Sequence, residues 1–228
     1  MDLAQEHYKH AKLHVIAFDF SKKAVQLVQQ AGRKNVTAFV WDICKSPLSP
    51  ALQALPPPLS PPPIVTSVQR EQQHMEEQEL RTFMGSDILV NTLKHLSHNH
   101  AWNIVDLVTC IFVISAMTPQ SIPLLVKRLY LCMRPGAICF VRDYSVHDLA
   151  HFRFQHEKDG YKKLNDNFYV RGDGTQVLFL RTEELISWFT MDNMFTVLQC
   201  EYCHRTLTNT RQQLNMDRVF VQARFRRV

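Results

Sequence analysis

The chain has 228 residues, 46% hydrophobic and 21% charged, which suffices for one substantial core and, at roughly 100–200 residues per domain, predicts one domain plus an insertion. Its 26 Lys and Arg against 21 Asp and Glu leave a net charge of +5, a mild excess that permits a polyanionic partner without requiring one. The start Met1-Asp2-Leu3-Ala4-Gln5-Glu6 does not read as a signal peptide and no window holds the ~18 apolar residues of a membrane span, so the expectation is a soluble, cytoplasmic protein with no membrane role, nuclear or mitochondrial residence staying open.

Leu13 to Phe18 is a short apolar run ending at Asp19 and predicts a strand; Ser21 then N-caps a helix whose apolar positions Ala24, Val25, Leu27 and Val28 form one stripe, closed by Gly32. Val36 to Val40 predicts the next strand, stopping at Trp41-Asp42. Strand, helix, strand in this order predicts a parallel, doubly wound sheet. Eight of the eleven prolines fall within 46–64, which predicts a flexible or polyproline-like run inside an insertion spanning 45–103. Ile104 to Ser115 reads as a central strand covered on both faces. Pro119 opens a helix over about 120–133, and Pro135-Gly136 turns the chain into a strand over 137–141. Beyond Asp143 come a loop region to about Asp173, a strand over 176–180, a helix over 182–191 and two closing strands, 196–205 and 218–225.

The six cysteines fit reduced thiols. Cys200-Glu201-Tyr202-Cys203-His204 spells a haem-attachment pattern, but its β-favouring surroundings read as a strand with incidental cysteines. His95, His98 and His100 read as surface histidines, so no metal site is expected. Arg218, Arg224, Arg226 and Arg227 read as a solvated strand edge.

Phe140-Val141-Arg142-Asp143-Tyr144, His151-Phe152-Arg153-Phe154 and Asn167-Phe168-Tyr169-Val170-Arg171-Gly172-Asp173-Gly174-Thr175 place charged, aromatic and turn-forming side chains where a buried strand hands over to a loop. That is where α/β folds keep their chemistry. Together with Ala17-Phe18-Asp19-Phe20-Ser21, Ile111-Phe112-Val113-Ile114-Ser115-Ala116 and Met133-Arg134-Pro135-Gly136, this ordered pattern resembles the tRNA N(3)-methylcytidine methyltransferases, a branch of the S-adenosylmethionine-dependent class I methyltransferases. The resemblance covers most of the chain outside 45–103. It implies one methyltransferase domain over residues 1–228, an α/β Rossmann-like sheet with helices on both faces, S-adenosylmethionine as cofactor, and formation of 3-methylcytidine in the anticodon loop of tRNA. An aminoacyl-tRNA synthetase or another accessory protein is an implied further partner.

Residue by residue, the resemblance implies that Asp19, with Phe20 and Ser21, meets the cofactor ribose, that Asp42 and Ile43 frame the adenine beside Trp41, and that Ile111 lies under the cofactor. Arg142, Asp143 and Tyr144 face the methyl donor. Cytosine N3 already carries a nucleophilic lone pair, so transfer needs positioning and exclusion of water more than a strong base. Asp143 is expected to stabilise the developing positive charge or hold the exocyclic amine, with Tyr144 and Phe152 as walls around the base. N3 lies on the Watson–Crick edge, so the target must be unpaired; Arg153, Asn167, Tyr169 and Arg171 then read as contacts to phosphate and the splayed loop, presented by the turn Gly172-Asp173-Gly174. From the residues alone, Asp19 as a helix cap and Arg142–Asp143 as a structural ion pair stay open.

The family carries a Gly-rich turn after its first strand, whereas no glycine precedes Asp19. The chain therefore reads as N-terminally incomplete, its first strand and helix missing. Two classes of function stand: an active tRNA methyltransferase, or a truncated, inactive relative that binds RNA or protein. A methyltransferase acting on a protein or small molecule keeps the fold but leaves the arginine and aromatic block unexplained.

Overall fold

A computed structural model of the chain describes residues 13–19, 21–43, 78, 81, 82, 84, 87–96, 103–156, 161–209 and 214–228. The chain divides into two compact units, Met1–Leu96 and Ser97–Val228. The division falls inside 45–103, the stretch read as an insertion, and the proline-rich run 46–64 lies outside the described residues.

In the first unit, β1 (Val15–Asp19) and β2 (Val36–Val40) pair in parallel, with Asp19 opposite Val40 at their carboxyl ends. Between them runs α1 (Lys22–Gln30), started by the Ser21 hydroxyl, which accepts the Ala24 N–H at 3.3 Å. It stops where Gly32 takes a left-handed φ of 60° and donates its N–H to the Gln29 carbonyl at 3.0 Å. The expected apolar stripe is narrower than its four positions. Val25 is buried, while Leu27 is 61% exposed, because residues two apart on a helix do not share a face. Helix α2 (Asp87–Leu96) buries Leu89, Val90 and Leu93 along one face.

The second unit holds a four-stranded sheet in the order β3-β4-β9-β8. Strand β3 (Val105–Ile111) runs parallel to β4 (Met133–Tyr144), and the connection passes through 3-10 turns at Ile114–Ala116 and Pro119–Ser121 and helix α3 (Ile122–Cys132). Ile122, Leu125, Val126 and Leu129 form the buried face of α3. Strand β9 (Leu214–Arg227) pairs antiparallel with both β4 and β8 (Phe195–Asn209), the closing antiparallel pair that the sequence predicts. Helix α5 (Thr182–Thr190) packs onto this pair, its Phe189 ring stacked on Phe225 at 4.1 Å between centroids.

Four readings change. Strand β3 stops at Ile111 rather than running to Ser115, because Phe112 has a φ of 56° that no strand can contain. Nor is β3 covered on both faces: among the described residues it pairs with β4 alone, and Leu107 and Ile111 are 55% and 47% exposed. The region from Tyr144 to Asp173, expected to be loop, contains α4 (Leu149–His156), β5 (Tyr161–Asn165) and β6 (Phe168–Arg171), the strands joining β7 (Gln176–Leu178) in a separate antiparallel sheet. The polar, exposed residues of β5 carry no apolar alternation to announce a strand. Finally, Pro135-Gly136 forms a bulge inside β4: the partner of Val105 is Met133 but that of Leu107 is Ile138, and Gly136 absorbs the kink at a φ of 81°.

Candidate functional site

Asp19 ends β1 at the carboxyl edge of the parallel pair, where ligands of open α/β sheets bind. Its side chain is exposed, and Oδ1 accepts the Ser21 N–H at 2.8 Å. That bond stops at the N-cap residue, the helix itself being capped by Ser21, and it uses one of the two Asp19 oxygens. The concavity beside Phe18, Asp19 and Val25 holds about 120 Å³, well under the ~300–1,000 Å³ of ordinary small-molecule pockets, so the carboxylate is presented at an open surface. Ser21 is occupied as the helix cap; Phe20 lies outside the described residues. Asp42 is half-buried, whereas Trp41 and Ile43 are each only 6% exposed. Trp41 sits edge-on to Phe18 at 4.8 Å. The adenine-framing role expected of Ile43, with Trp41 stacking, thus lacks an open apolar surface, because both side chains are spent in this unit's own core.

In the second unit Arg142, Asp143 and Tyr144 form the end of β4. Asp143 is fully buried; Oδ2 accepts the Ser115 N–H and Oδ1 its neighbour Tyr144's N–H, each at 2.9 Å. It is a clamp that caps the 3-10 turn after β3 and fastens it to the end of β4. Burial pushes its carboxyl above the ordinary range, opposed by hydrogen bonds from Ser115, Tyr144 and Ile114. With both oxygens turned into backbone, Asp143 is a positioning residue here, not the substrate-touching group the sequence suggested. The structural ion pair with Arg142 is absent too among the contacts of the described residues: Arg142 Nη1 donates to Gln222 Oε1 at 3.1 Å and its guanidinium lies 4.7 Å over the Phe220 ring. Adjacent strand residues point to opposite faces, so the two cannot meet.

Phe112 follows the exposed Ile111 and donates its N–H to the Arg142 carbonyl at 2.9 Å, which ties the left-handed residue to β4. A left-handed bulky residue costs on the order of 1–3 kcal/mol. Sequence reasoning missed the group that organises the next turn. Asp148 is buried, caps α4 through Ala150 N–H at 2.8 Å, accepts Val219 N–H at 2.9 Å, and pairs with Arg218 Nε at 2.8 Å. Burial works against the charge on Arg218, but Asp148 outweighs it and holds the guanidinium above its ordinary value. An Asp ahead of a helix is the available signal; its partner, seventy residues later, is not legible, and the sequence pattern presents Arg218 as a solvated edge.

The residues expected to contact the substrate separate into two groups. Arg153 is exposed on α4, and Arg171 is half-buried, bonded to Thr175 Oγ1 at 3.1 Å with its guanidinium 5.8 Å from the Phe154 ring. Asn167 and Tyr169 are buried, 4% and 1% exposed. Asn167 Nδ2 donates to the Phe179 carbonyl at 2.8 Å and to Glu184, and Tyr169 donates its hydroxyl proton to the Asp166 carbonyl at 3.0 Å. These two hold the small sheet to α5 and to the buried His151 rather than facing a ligand. Phe152, expected as a wall, is 58% exposed against His156.

No family model matches the chain. The tRNA N(3)-methylcytidine methyltransferase Mettl2 of Drosophila melanogaster is 35% identical over 158 residues, 69% of this chain and 46% of that protein. The tRNA N(3)-methylcytidine methyltransferase trm140 of Schizosaccharomyces pombe is 27% identical over 222 residues, 96% of this chain and 55% of that protein. The chain is a homologue of the tRNA N(3)-methylcytidine methyltransferases. It spans about half the length of these curated relatives. Among solved structures, an S-adenosylmethionine-dependent methyltransferase of Methanosarcina mazei aligns over 100% of this chain and 85% of its own with a TM-score of 0.56 and 13% identity. The fold is accordingly the Rossmann-like one of class I methyltransferases. Among the described residues no helix is long and apolar enough to cross a membrane, and no three His, Cys, Asp or Glu side chains stand close enough to hold a metal ion. The paired cysteines of the haem-like spelling lie half-buried in β8, and burial pushes the Cys200 thiol up to about 11.

Proposed function

We propose that this chain carries the methyl-transfer domain of an S-adenosylmethionine-dependent tRNA methyltransferase that forms 3-methylcytidine in the anticodon loop, residues 1–228 serving as one domain with an insertion at 45–103. The observation that carries the proposal is homology, over most of the chain, to proteins named for that reaction.

The geometry supports the cofactor half through Asp19, whose carboxylate stands exposed at the end of a parallel strand with an oxygen outside its bond to Ser21. Two vicinal ribose hydroxyls are the ligand such a group suits, since a carboxylate accepts from both at once. Asp42, half-buried, is the second candidate of this edge; in the second unit, Ile111 is 47% exposed at the end of β3. S-adenosylmethionine supplies an electrophilic methyl group on its sulfonium. The chain's own task is orientation: Asp143 locks the turn at Ser115 to β4, Tyr144 stands half-buried beside that lock, and Arg153 and Arg171 supply positive charge toward a phosphate backbone. A tRNA is the macromolecular partner in this reading, an aminoacyl-tRNA synthetase a further one.

Calorimetric titration of S-adenosylmethionine into the chain, with Asp19→Ala as control, tests the first half. Saturable binding lost in the variant is expected; no binding by a folded chain overturns it. Incubation with unmodified tRNA and cofactor, followed by nucleoside mass spectrometry, tests the second half, and failure to form 3-methylcytidine by a chain that binds cofactor and tRNA overturns that assignment.

A further inference from the structure

The two faces of the four-stranded sheet differ. On one, Cys110, Cys139, Ala223 and Phe225 are buried, and the Phe189 ring of α5 stacks on Phe225. The other is carried by the side chains that alternate with these. The register sets Leu107 beside Ile138 and then Arg226, and Thr109 beside Phe140 and then Arg224, two rows that cross β3, β4 and β9 on a single face. These rows are open: Leu107 is 55% exposed, Thr109, Arg224 and Arg226 are exposed, and Ile138 and Phe140 are only half-buried. Parallel strands such as β3 and β4 are ordinarily covered on both faces, by helices. Here an apolar strip of that pair is left in water, and beside it the interior strand β9 holds out two guanidinium groups. Among the described residues neither Arg224 nor Arg226 is in an ion pair.

We propose that this face is the docking surface for an acidic amphipathic helix of a partner protein, its apolar stripe laid on Leu107, Ile138 and Phe140 and its carboxylates turned to Arg224 and Arg226. A helix with its side chains is about 10 Å across and neighbouring strands lie about 4.8 Å apart, so one helix covers β3 and β4 and brings its flank to β9. Charge selects among the occupants. A second copy of this chain, paired about a two-fold axis, would set the same cations against each other. A nucleic acid would match the guanidinium groups but leave the apolar strip wet. A helix with a leucine-rich stripe and a row of carboxylates satisfies both halves of the surface. The surface uses none of the residues given a role in methyl transfer.

Two fluorescein-labelled peptides of about 14 residues, roughly four helical turns, test this. Both carry the same leucine stripe at helical spacing, one flanked by glutamates and the other by lysines. Fluorescence anisotropy is expected to show saturable binding of the glutamate peptide to the chain and at least about tenfold weaker binding of the lysine peptide. Leu107→Ser should lower the affinity for the glutamate peptide by about tenfold. Arg224→Glu combined with Arg226→Glu should reverse the preference, so that the lysine peptide binds the better. These replacements fall on exposed positions and keep the fold, as circular dichroism checks, and a merely structural role for the two arginines could not exchange the preference. Binding of neither peptide by the folded chain, or equal binding of both, overturns the proposal. A dimer of the chain alone in sedimentation equilibrium that Leu107→Ser dissolves also overturns it, since a second copy is then the occupant. So does displacement of the glutamate peptide by tRNA whose own binding is lost in the double arginine variant, since the cations then serve RNA.

Discussion

Asp19 and Asp143 are the same feature twice: a carboxylate at the carboxyl end of a parallel strand, followed by a turn. Asp19 stands exposed with a single backbone bond, to Ser21 two residues on; Asp143 is fully buried and reaches across to Ser115, twenty-eight residues away, as well as to Tyr144. The first is local and leaves an oxygen for a ligand; the second is spent on holding two strand ends together. Position at a strand end therefore nominates a residue, and only its partners decide whether it binds or builds.

The largest effect that would break this contrast is in Asp143→Ala. It leaves two backbone N–H groups unmatched in a dry site, and the urea-unfolding free energy should fall by about 2–4 kcal/mol; a change near zero would mean that the clamp is dispensable. Asp148→Asn comes next. It strands a guanidinium whose side chain is 19% exposed, so the loss should be about 2–3 kcal/mol, below that of a fully buried pair.

A smaller effect lies in the pH dependence of the clamp. Burial raises the Asp143 carboxyl above its ordinary value of 3.8, so the folded protein holds this proton more tightly than the unfolded chain does. The group's contribution to stability is then complete below pH 3.8 and is lost as pH rises through the raised value. Asp143→Asn lacks that titration, so in urea melts from pH 3.8 upward the wild type should lose ground against the variant; a gap that widens in favour of wild type would place the folded value below the ordinary one. The smallest effect on stability belongs to Asp19→Ala, at most about 1 kcal/mol, since water can replace its bond to Ser21. Its effect on cofactor binding should instead be complete, and the converse pattern, a large loss of stability with intact binding, would reverse the roles given to the two carboxylates.

Much of the fold was legible. Strand β2 has the predicted bounds, Ser21 caps α1 as read, and the closing antiparallel pair stands where the β-favouring runs place it. These signals are local: periodicity, caps and turn residues act within a few positions. What was not legible depended on contacts far along the chain. β5 forms from a largely polar stretch because it pairs with β6, which pairs in turn with β7. Asn167 and Tyr169 sit in a loop-like, turn-rich sequence and read as surface groups, yet their polar atoms are consumed by Phe179, Glu184 and Asp166.

The sequence by itself determined the order of elements outside the 144–173 region, the kinship with the 3-methylcytidine enzymes and the short set of charged and aromatic residues among which the chemistry must be found. Tertiary structure alone decided their placement: Asp143 and Asp148 inward as clamps, Asp19 and Phe112 outward, Arg218 paired with Asp148 rather than solvated. The physical reason is that burial and hydrogen-bond partnership are properties of pairs distant in sequence, such as Asp148 with Arg218 and Asp143 with Ser115. A residue type fixes what a group can do, but its neighbours in space consume that capacity or leave it free.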